Sequence, residues 1–465
     1  MLSRPEAPLL RFWYRTSPRP LIPLAPSWQP GLNDPPLALS GMATVVVDDK
    51  GRLLEFVSMP PQVDPDPATA PAALDWARLF TLAGLSLADF KAVPPQWTPR
   101  IYAEDRAAWE GPMPAAPDQT IRIEAASYRS VPVSFQVIWP WTRPTRMELP
   151  AQATGLSRAL SLGGAFLVTA LLVGAVMLVR ANLKSGRADR RGAFRIGLAL
   201  LAIWVVAWAL GARHRFDINA ELGLFFSFFS VALLNTAFTW LFYLALEPFV
   251  RRFRPHILIS WTRLLAGHAR DPLVARDILV GVAAGVFIVL LAGAGLWMVS
   301  LLNPGGPPPT PQASNVRYLL GVHHTLSLLF QMVPNALQSA MVATFIYVML
   351  RAFSGRDWVA SLTIVALFVA VVVSEESGSS PWAGALFGLA LAGPVMFVFL
   401  RYGLLSIAVM LLVNQALNLV PLTTDLSRSH AGVSVISVLL VGGLAVWSFQ
   451  ASKAGDGLLR RMFPA

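Results

Sequence analysis

Two sets of polar residues interrupt otherwise apolar sequence. His324, Gln331, Asn335 and Gln338 follow one another at intervals of seven, four and three, which places all four on one face of a helix. Pro334 lies among them and removes one helical N–H, freeing a carbonyl. Asn414 and Asn418 stand one turn apart, with Gln415 beside them, and Glu375 and Glu376 close another apolar run. Polar groups at membrane depth are costly, so each is a functional-site hypothesis: a small polar cavity for a ligand, an ion or a proton. The alternative is hydrogen bonding between helices, worth roughly 0.5–2 kcal/mol each. No Lys or Arg lies deep in an apolar run, which weakens any mechanism that moves charge.

Other chemistries fail on residue type or order. Cys is absent, which excludes disulfides, thiolate metal sites and a Cys nucleophile. A CAAX-type intramembrane protease needs a Glu-Glu pair followed by an Arg and later His residues. Here Ser377-Gly378-Ser379-Ser380 follow the pair, His323 and His324 precede it, and His430 is the later His. No His-Glu-x-x-His zinc spacing and no Walker-type phosphate loop occurs, so the sequence implies neither metal nor cofactor.

The elements that must carry these residues are membrane spans. Only 14% of the chain is charged, against roughly 25% in soluble domains. From Ala159 onward, apolar runs of about 17–25 residues recur, the length needed to cross ~30 Å of hydrocarbon. They read as nine spans: Ala159–Val179, Ile196–Gly211, Leu222–Leu246, Ile278–Leu302, Leu326–Leu350, Val359–Val373, Trp382–Leu400, Tyr402–Val420 and Val433–Gln450. The seventh and eighth are separated only by Arg401-Tyr402-Gly403. Together they are too long for one crossing, so a hairpin is expected.

Loop charge tests the count. Alternate connections collect six Arg or Lys between Arg180 and Arg195, six Arg between Arg251 and Arg276, then Arg351, Arg356, Arg401, Lys453, Arg460 and Arg461. The opposite side holds Arg213, Arg215, Arg317 and Arg428. Positive loops stay in the cytoplasm, so the net charge of +11 reads as membrane orientation and not as nucleic-acid binding. The predicted layout is an extracytoplasmic domain over residues 1–155, a helical membrane domain over 156–452 and a short basic cytoplasmic tail over 453–465. No segment before Ala159 could export the first domain. An upstream transmembrane segment outside this chain is therefore expected.

The N-terminal domain reads as small and α+β. Residues 5–40 are Pro-rich and extended. Met42–Val47 and Arg52–Met59 flank an Asp48–Gly51 turn, and Thr120–Ala126 and Val131–Trp139 form a second hairpin around Tyr128–Ser130. Leu74–Ala83 and Ser86–Phe90 are short helices. Trp97, Trp109, Trp139 and Trp141 are read as core or near-membrane residues, with a ligand groove as the alternative.

Glu247–Asp277, on the cytoplasmic side, places Ile257, Trp261, Leu264 and Leu265 on one helix face with Arg263 and Arg270 nearer lipid headgroups. An amphipathic interfacial helix is predicted, with Arg251, Arg252 and Arg254 against anionic lipid. The alternative is an ordinary basic loop.

Several strings resemble the C-terminal, non-kinase portion of a family of large bacterial serine/threonine protein kinases. They are Phe12–Leu21, the hairpin Gly41–Pro60, Ile138–Pro144, Glu247-Pro248, Leu258–Asp277 and Pro421–Ser427. The resemblance implies a kinase domain, a transmembrane helix, an extracytoplasmic region and a multi-span bundle, in that order, in a bacterial plasma membrane. Kinase machinery itself is absent. His268-Ala269-Arg270-Asp271 has Arg276 where a catalytic loop needs Asn, and Asp89-Phe90 is followed by Lys91 and not Gly. The expectation is a sensor or signalling module without catalysis of its own, working with a kinase domain in cis or in trans. A transporter and, more weakly, an intramembrane protease are the alternatives.

Overall fold

The computed structural model describes residues 11–24, 30–63, 74–114, 116–147, 155–214, 217–302, 316–375, 381–419, 422–427 and 431–453. The chain divides into two compact units: Met1–Thr154 with Arg213–Ser227, and Gly155–Ala212 with Phe228–Ala465.

The first unit contains one antiparallel sheet of seven strands, β1 (Arg11–Thr16), β2 (Ala43–Asp48), β3 (Leu53–Ser58), β4 (Lys91–Val93), β5 (Asp105–Met113), β6 (Ala116–Tyr128) and β7 (Val131–Ile138), in the order β1-β2-β3-β7-β6-β5-β4. Alternation along β6 turns Ile121, Ile123 and Ala125 to one face, where they meet Leu53, Phe135 and Val137. A short helix, α1 (Ala77–Leu82), drops Phe80 onto this face. Its ring is fully buried and meets Phe90, Trp109 and Phe135 edge-on at 5.2–5.9 Å.

On the other face Arg122 is buried and reaches Glu124, Glu110 and the Pro94 carbonyl. Glu124 also accepts the Gln96 N–H. Arg15 on β1 donates to the Gly31 and Pro35 carbonyls at 2.9 and 2.5 Å. Both arginines thus satisfy backbone carbonyls of irregular segments. The β6–β7 hairpin turns through Arg129 and Ser130, both at positive φ, 49° and 61°, the conformation of a two-residue primed turn.

Three strands differ from expectation: β1 lies in the Pro-rich arm, and β4 and β5 were not expected. Ser86–Phe90 shrinks to a 3₁₀ turn over Leu87–Asp89. Among the described residues up to 147, one short α-helix beside seven strands makes this an antiparallel sheet domain.

The second unit is helical: α2 (Gly155–Lys184), α3 (Arg190–Gly211), α4 (Ile218–Phe253, of which the residues up to Ser227 belong to the first unit), α5 (His256–Leu265), α6 (Pro272–Leu302), α7 (Val322–Ser354), α8 (Asp357–Glu375), α9 (Pro381–Tyr402), α10 (Leu404–Leu417) and α11 (Ala431–Lys453). Among the described residues, seven helices are long and apolar enough to cross a bilayer: α2, α3, α4, α6, α7, α9 and α11. The chain is a multi-pass membrane protein. Exposed Phe166, Met177, Leu198, Trp297 and Leu439 are the apolar exterior such a bundle needs.

The two remaining expected spans are the shorter apolar helices α8 and α10. At 1.5 Å per residue α10 is about 21 Å long. It needs little reach, because Leu404–Met410, Val413, Ala416 and Leu417 are all buried against α5, α6, α7, α9 and α11. Gly281 and Gly285 of α6 allow the closest approach. A Cβ at Gly285 would lie 2.7 Å from Val413 Cβ and 2.9 Å from the Met410 carbonyl oxygen. This is the small-xxx-small packing that lets backbones meet in lipid. The break between α9 and α10 falls at Gly403, at φ +85°, where a Cβ would lie 2.5 Å from the Ile257 carbonyl oxygen; position and backbone angle both require glycine.

Candidate functional site

The sheet domain has a pocket of about 150 Å³, lined on its apolar side by Leu53, Ala83, Met113, Ile121, Val137 and Trp139, and on its polar side by Asp48, Lys50 and Arg52. The β2–β3 turn builds the polar side. Gly51 takes φ +77°. The buried Asp48 carboxylate accepts the N–H groups of Lys50 and Arg52 at 2.9 and 2.8 Å, and Arg52 Nε at 2.6 Å. Burial alone would raise the Asp48 carboxyl, but the Arg52 N–H, the Arg52 side chain, the Lys50 N–H and the Arg52 charge outweigh it and hold the group below the usual carboxylate range. Trp139, at the pocket wall, stacks on Trp141 at 5.8 Å with planes 6° apart.

In the bundle the expected polar face of α7 runs from buried to exposed. His324 is buried, its ring 4.2 Å from that of His323. Gln331 is half-buried and donates to Ser327 Oγ at 3.0 Å, while Ser327 donates to the Ala207 carbonyl of α3 at 2.6 Å. Asn335 is exposed and Gln338 half-buried. Asn414 and Asn418 on α10 are half-buried, and the Asn418 N–H closes the helix on the Asn414 carbonyl at 3.1 Å. Glu375 ends α8; its side chain, Glu376, Arg428 and His430 lie outside the described residues.

The basic stretch after α4 forms α5, but its apolar face turns into the bundle. Ile257, Leu258, Ser260 and Trp261 are buried, packed on α3, α6, α9 and α10. Trp261 is therefore a core residue and not a lipid-facing anchor. Arg251 pairs with Glu247 at 2.5 Å, Arg254 with Asp357 at 2.6 Å and Arg263 with Asp271 at 2.8 Å, and Arg252 is exposed. Asp271, the would-be catalytic-loop Asp, caps α6 by accepting the Leu273 N–H at 2.9 Å.

Several polar groups at this end of the bundle escaped the sequence reading. Pro248 lies inside α4 and cannot donate to the Leu244 carbonyl one turn back. Buried Asn182 of α2 donates there instead, at 2.9 Å, and reaches the Ala245 carbonyl at 3.3 Å. Tyr243 donates to Asp189 at 3.0 Å, and Asp189 caps α3 through the Gly192 N–H. Buried Asp277 accepts from Ser260, and its backbone carbonyl accepts from Ser406 at 2.8 Å, tying α5, α6 and α10 together. The usable signal was a proline just past an apolar run, which requires a donor from elsewhere where the helix continues through it.

Compared with protein-family models, with curated proteins and with solved structures, the chain matches none.

Proposed function

We propose that this chain is a membrane-embedded sensor module whose N-terminal sheet domain binds a small ligand and whose helical bundle carries the bound state across the bilayer. One observation carries the reading: the pocket joins an apolar floor to a cationic wall whose Arg52 is fixed by a buried carboxylate. That is the form of a ligand site, a mostly apolar concavity with a few placed polar groups. The bundle's polar groups suit a transducer better than a permeation path, because Ser327, Gln331 and Asn182 are engaged in hydrogen bonds.

On this reading α8 and α10 also cross, giving nine spans. The basic loops face the cytoplasm of a bacterial cell, and the sheet domain faces outward. The signal passes to a serine/threonine kinase domain, in cis or in trans, as the family-like strings imply. Anionic lipid meets Arg252 and the solvent-facing edges of the paired arginines.

Two reporters test the layout. Alkaline phosphatase inserted near Gly111 is active and a fluorescent protein at the C-terminus is bright if the reading holds; the opposite pattern sinks it. For transmission, Ala83→Leu, which fills the pocket, changes hydrogen exchange over His256–Leu265 in the full chain. Unchanged exchange there removes the sensor reading.

A further inference from the structure

The pocket's polar wall has an asymmetry that selects a ligand charge. Asp48 has both oxygens occupied, by two backbone N–H groups and by Arg52 Nε, so it offers a ligand little. Arg52 spends only Nε on that carboxylate. Its two Nη groups make no hydrogen bond to the described residues, and Lys50, exposed at the same wall, makes no ion pair among them. The Arg52 stem is also held in place. Gly84, at φ +70°, sits beneath it, and a Cβ there would lie 2.7 Å from Arg52 Cδ. A guanidinium fixed through Nε and free at both Nη atoms is preorganised for a planar anion with two oxygens.

The rest of the pocket limits what carries that anion. An apolar cavity of about 150 Å³ holds a molecule the size of benzene, and this pocket has that volume. Leu53, Met113, Ile121 and Val137 offer dispersion contacts, and Trp139 adds an aromatic ring.

We propose that the pocket binds a small apolar monocarboxylate, one ring or one short branched chain, with its carboxylate on the Nη groups of Arg52 and its body on the Met113–Ile121–Val137–Trp139 side. This rests on the reading of the sheet domain as the ligand-sensing part. The test uses the full chain in lipid nanodiscs, with empty nanodiscs as blank, titrated calorimetrically with benzoate, benzyl alcohol and benzylamine. Benzoate is expected to bind saturably, benzyl alcohol at least about tenfold more weakly, and benzylamine not at all. Arg52→Gln weakens benzoate by roughly ten- to hundredfold and leaves benzyl alcohol unchanged. Arg52→Lys keeps a cation beside Asp48, and so the fold, yet loses the fork and most of the benzoate affinity.

Equal binding of benzyl alcohol and benzoate, or benzoate binding indifferent to both Arg52 variants, overturns the carboxylate class and leaves the sensor reading standing. If none of the three probes binds the folded protein, the carboxylate class is overturned and the pocket ceases to support a sensor.

Discussion

Replacing Asn182 by Leu keeps the side chain's size and removes the N–H donor that Pro248 makes necessary. The residue is 5% exposed and its side chain donates to the Leu244 carbonyl at 2.9 Å. In a regular helix the Phe249 N–H serves the Ala245 carbonyl, so the loss falls on Leu244. A buried acceptor left unsatisfied costs about 1–3 kcal/mol in water-soluble proteins, and side-chain hydrogen bonds between membrane helices measure about 0.6–1.7 kcal/mol. Asn182→Leu should therefore destabilise the bundle by about 1–2 kcal/mol. Pro248→Ala restores an N–H within reach of the same carbonyl. In that background Asn182→Leu should cost less than about 0.5 kcal/mol, a coupling of about 1 kcal/mol. Reversible unfolding of the four proteins in mixed micelles, by SDS titration followed by circular dichroism, gives the cycle. An equal cost of Asn182→Leu in both backgrounds would refute the assignment of Asn182 as the donor that substitutes for Pro248.

Other predictions use the same unfolding assay, or hydrogen exchange, on the full chain. Gly285→Ala places a Cβ 2.7 Å from Val413 Cβ and should destabilise by about 1–3 kcal/mol through overpacking, whereas Gly293→Ala, with nothing within 4 Å, should be near neutral. Asp48 titrates below the usual carboxylate range in the folded domain, so its contribution is complete above the unfolded value of about 4 and fades as pH falls through the lower folded value. Asp48→Asn should accordingly remove part of the acid sensitivity seen when β2–β3 hydrogen exchange is followed below about pH 4; an unaltered pH profile would contradict the assignment. Asn335 is exposed, so Asn335→Leu should change stability by less than about 0.5 kcal/mol, while Ser327→Ala, which loses the Ala207 carbonyl, should cost about 1 kcal/mol.

The helices were legible because hydrocarbon thickness fixes the length of an apolar run. Ile196–Gly211 lies inside α3 and Leu222–Leu246 inside α4. The helix at His256–Leu265 was legible from the spacing of Ile257 and Trp261, but which surface its apolar face meets was not, since a bilayer and a neighbouring helix attract the same residues. Hairpins closed by local turns, such as that at Arg129 and Ser130, were readable. Strands β1 and β5 were not: Arg11–Thr16 pairs with residues some thirty positions on, and Asp105–Met113 carries Gly111 and Pro112 and owes its conformation to β6. The candidate site was the least legible part. Its lining runs from Asp48 to Trp139, and Asp48–Gly51 read only as a turn. The α7 periodicity identified the polar face, but not that burial fades along it between His324 and Asn335.

The brevity of α10 bears on how the protein is made. Fourteen residues hold too little length to be retained alone by a translocon that judges segments by how well they fill the bilayer. On the nine-span proposal, this segment would enter with the longer α9 that precedes it. It would then take its place against the glycine furrow of α6, where Gly281 and Gly285 leave room for it. The centre of the bundle is, on this account, assembled after its walls, and a lesion at Gly281 or Gly285 would show first as poor yield and rapid degradation in the cell.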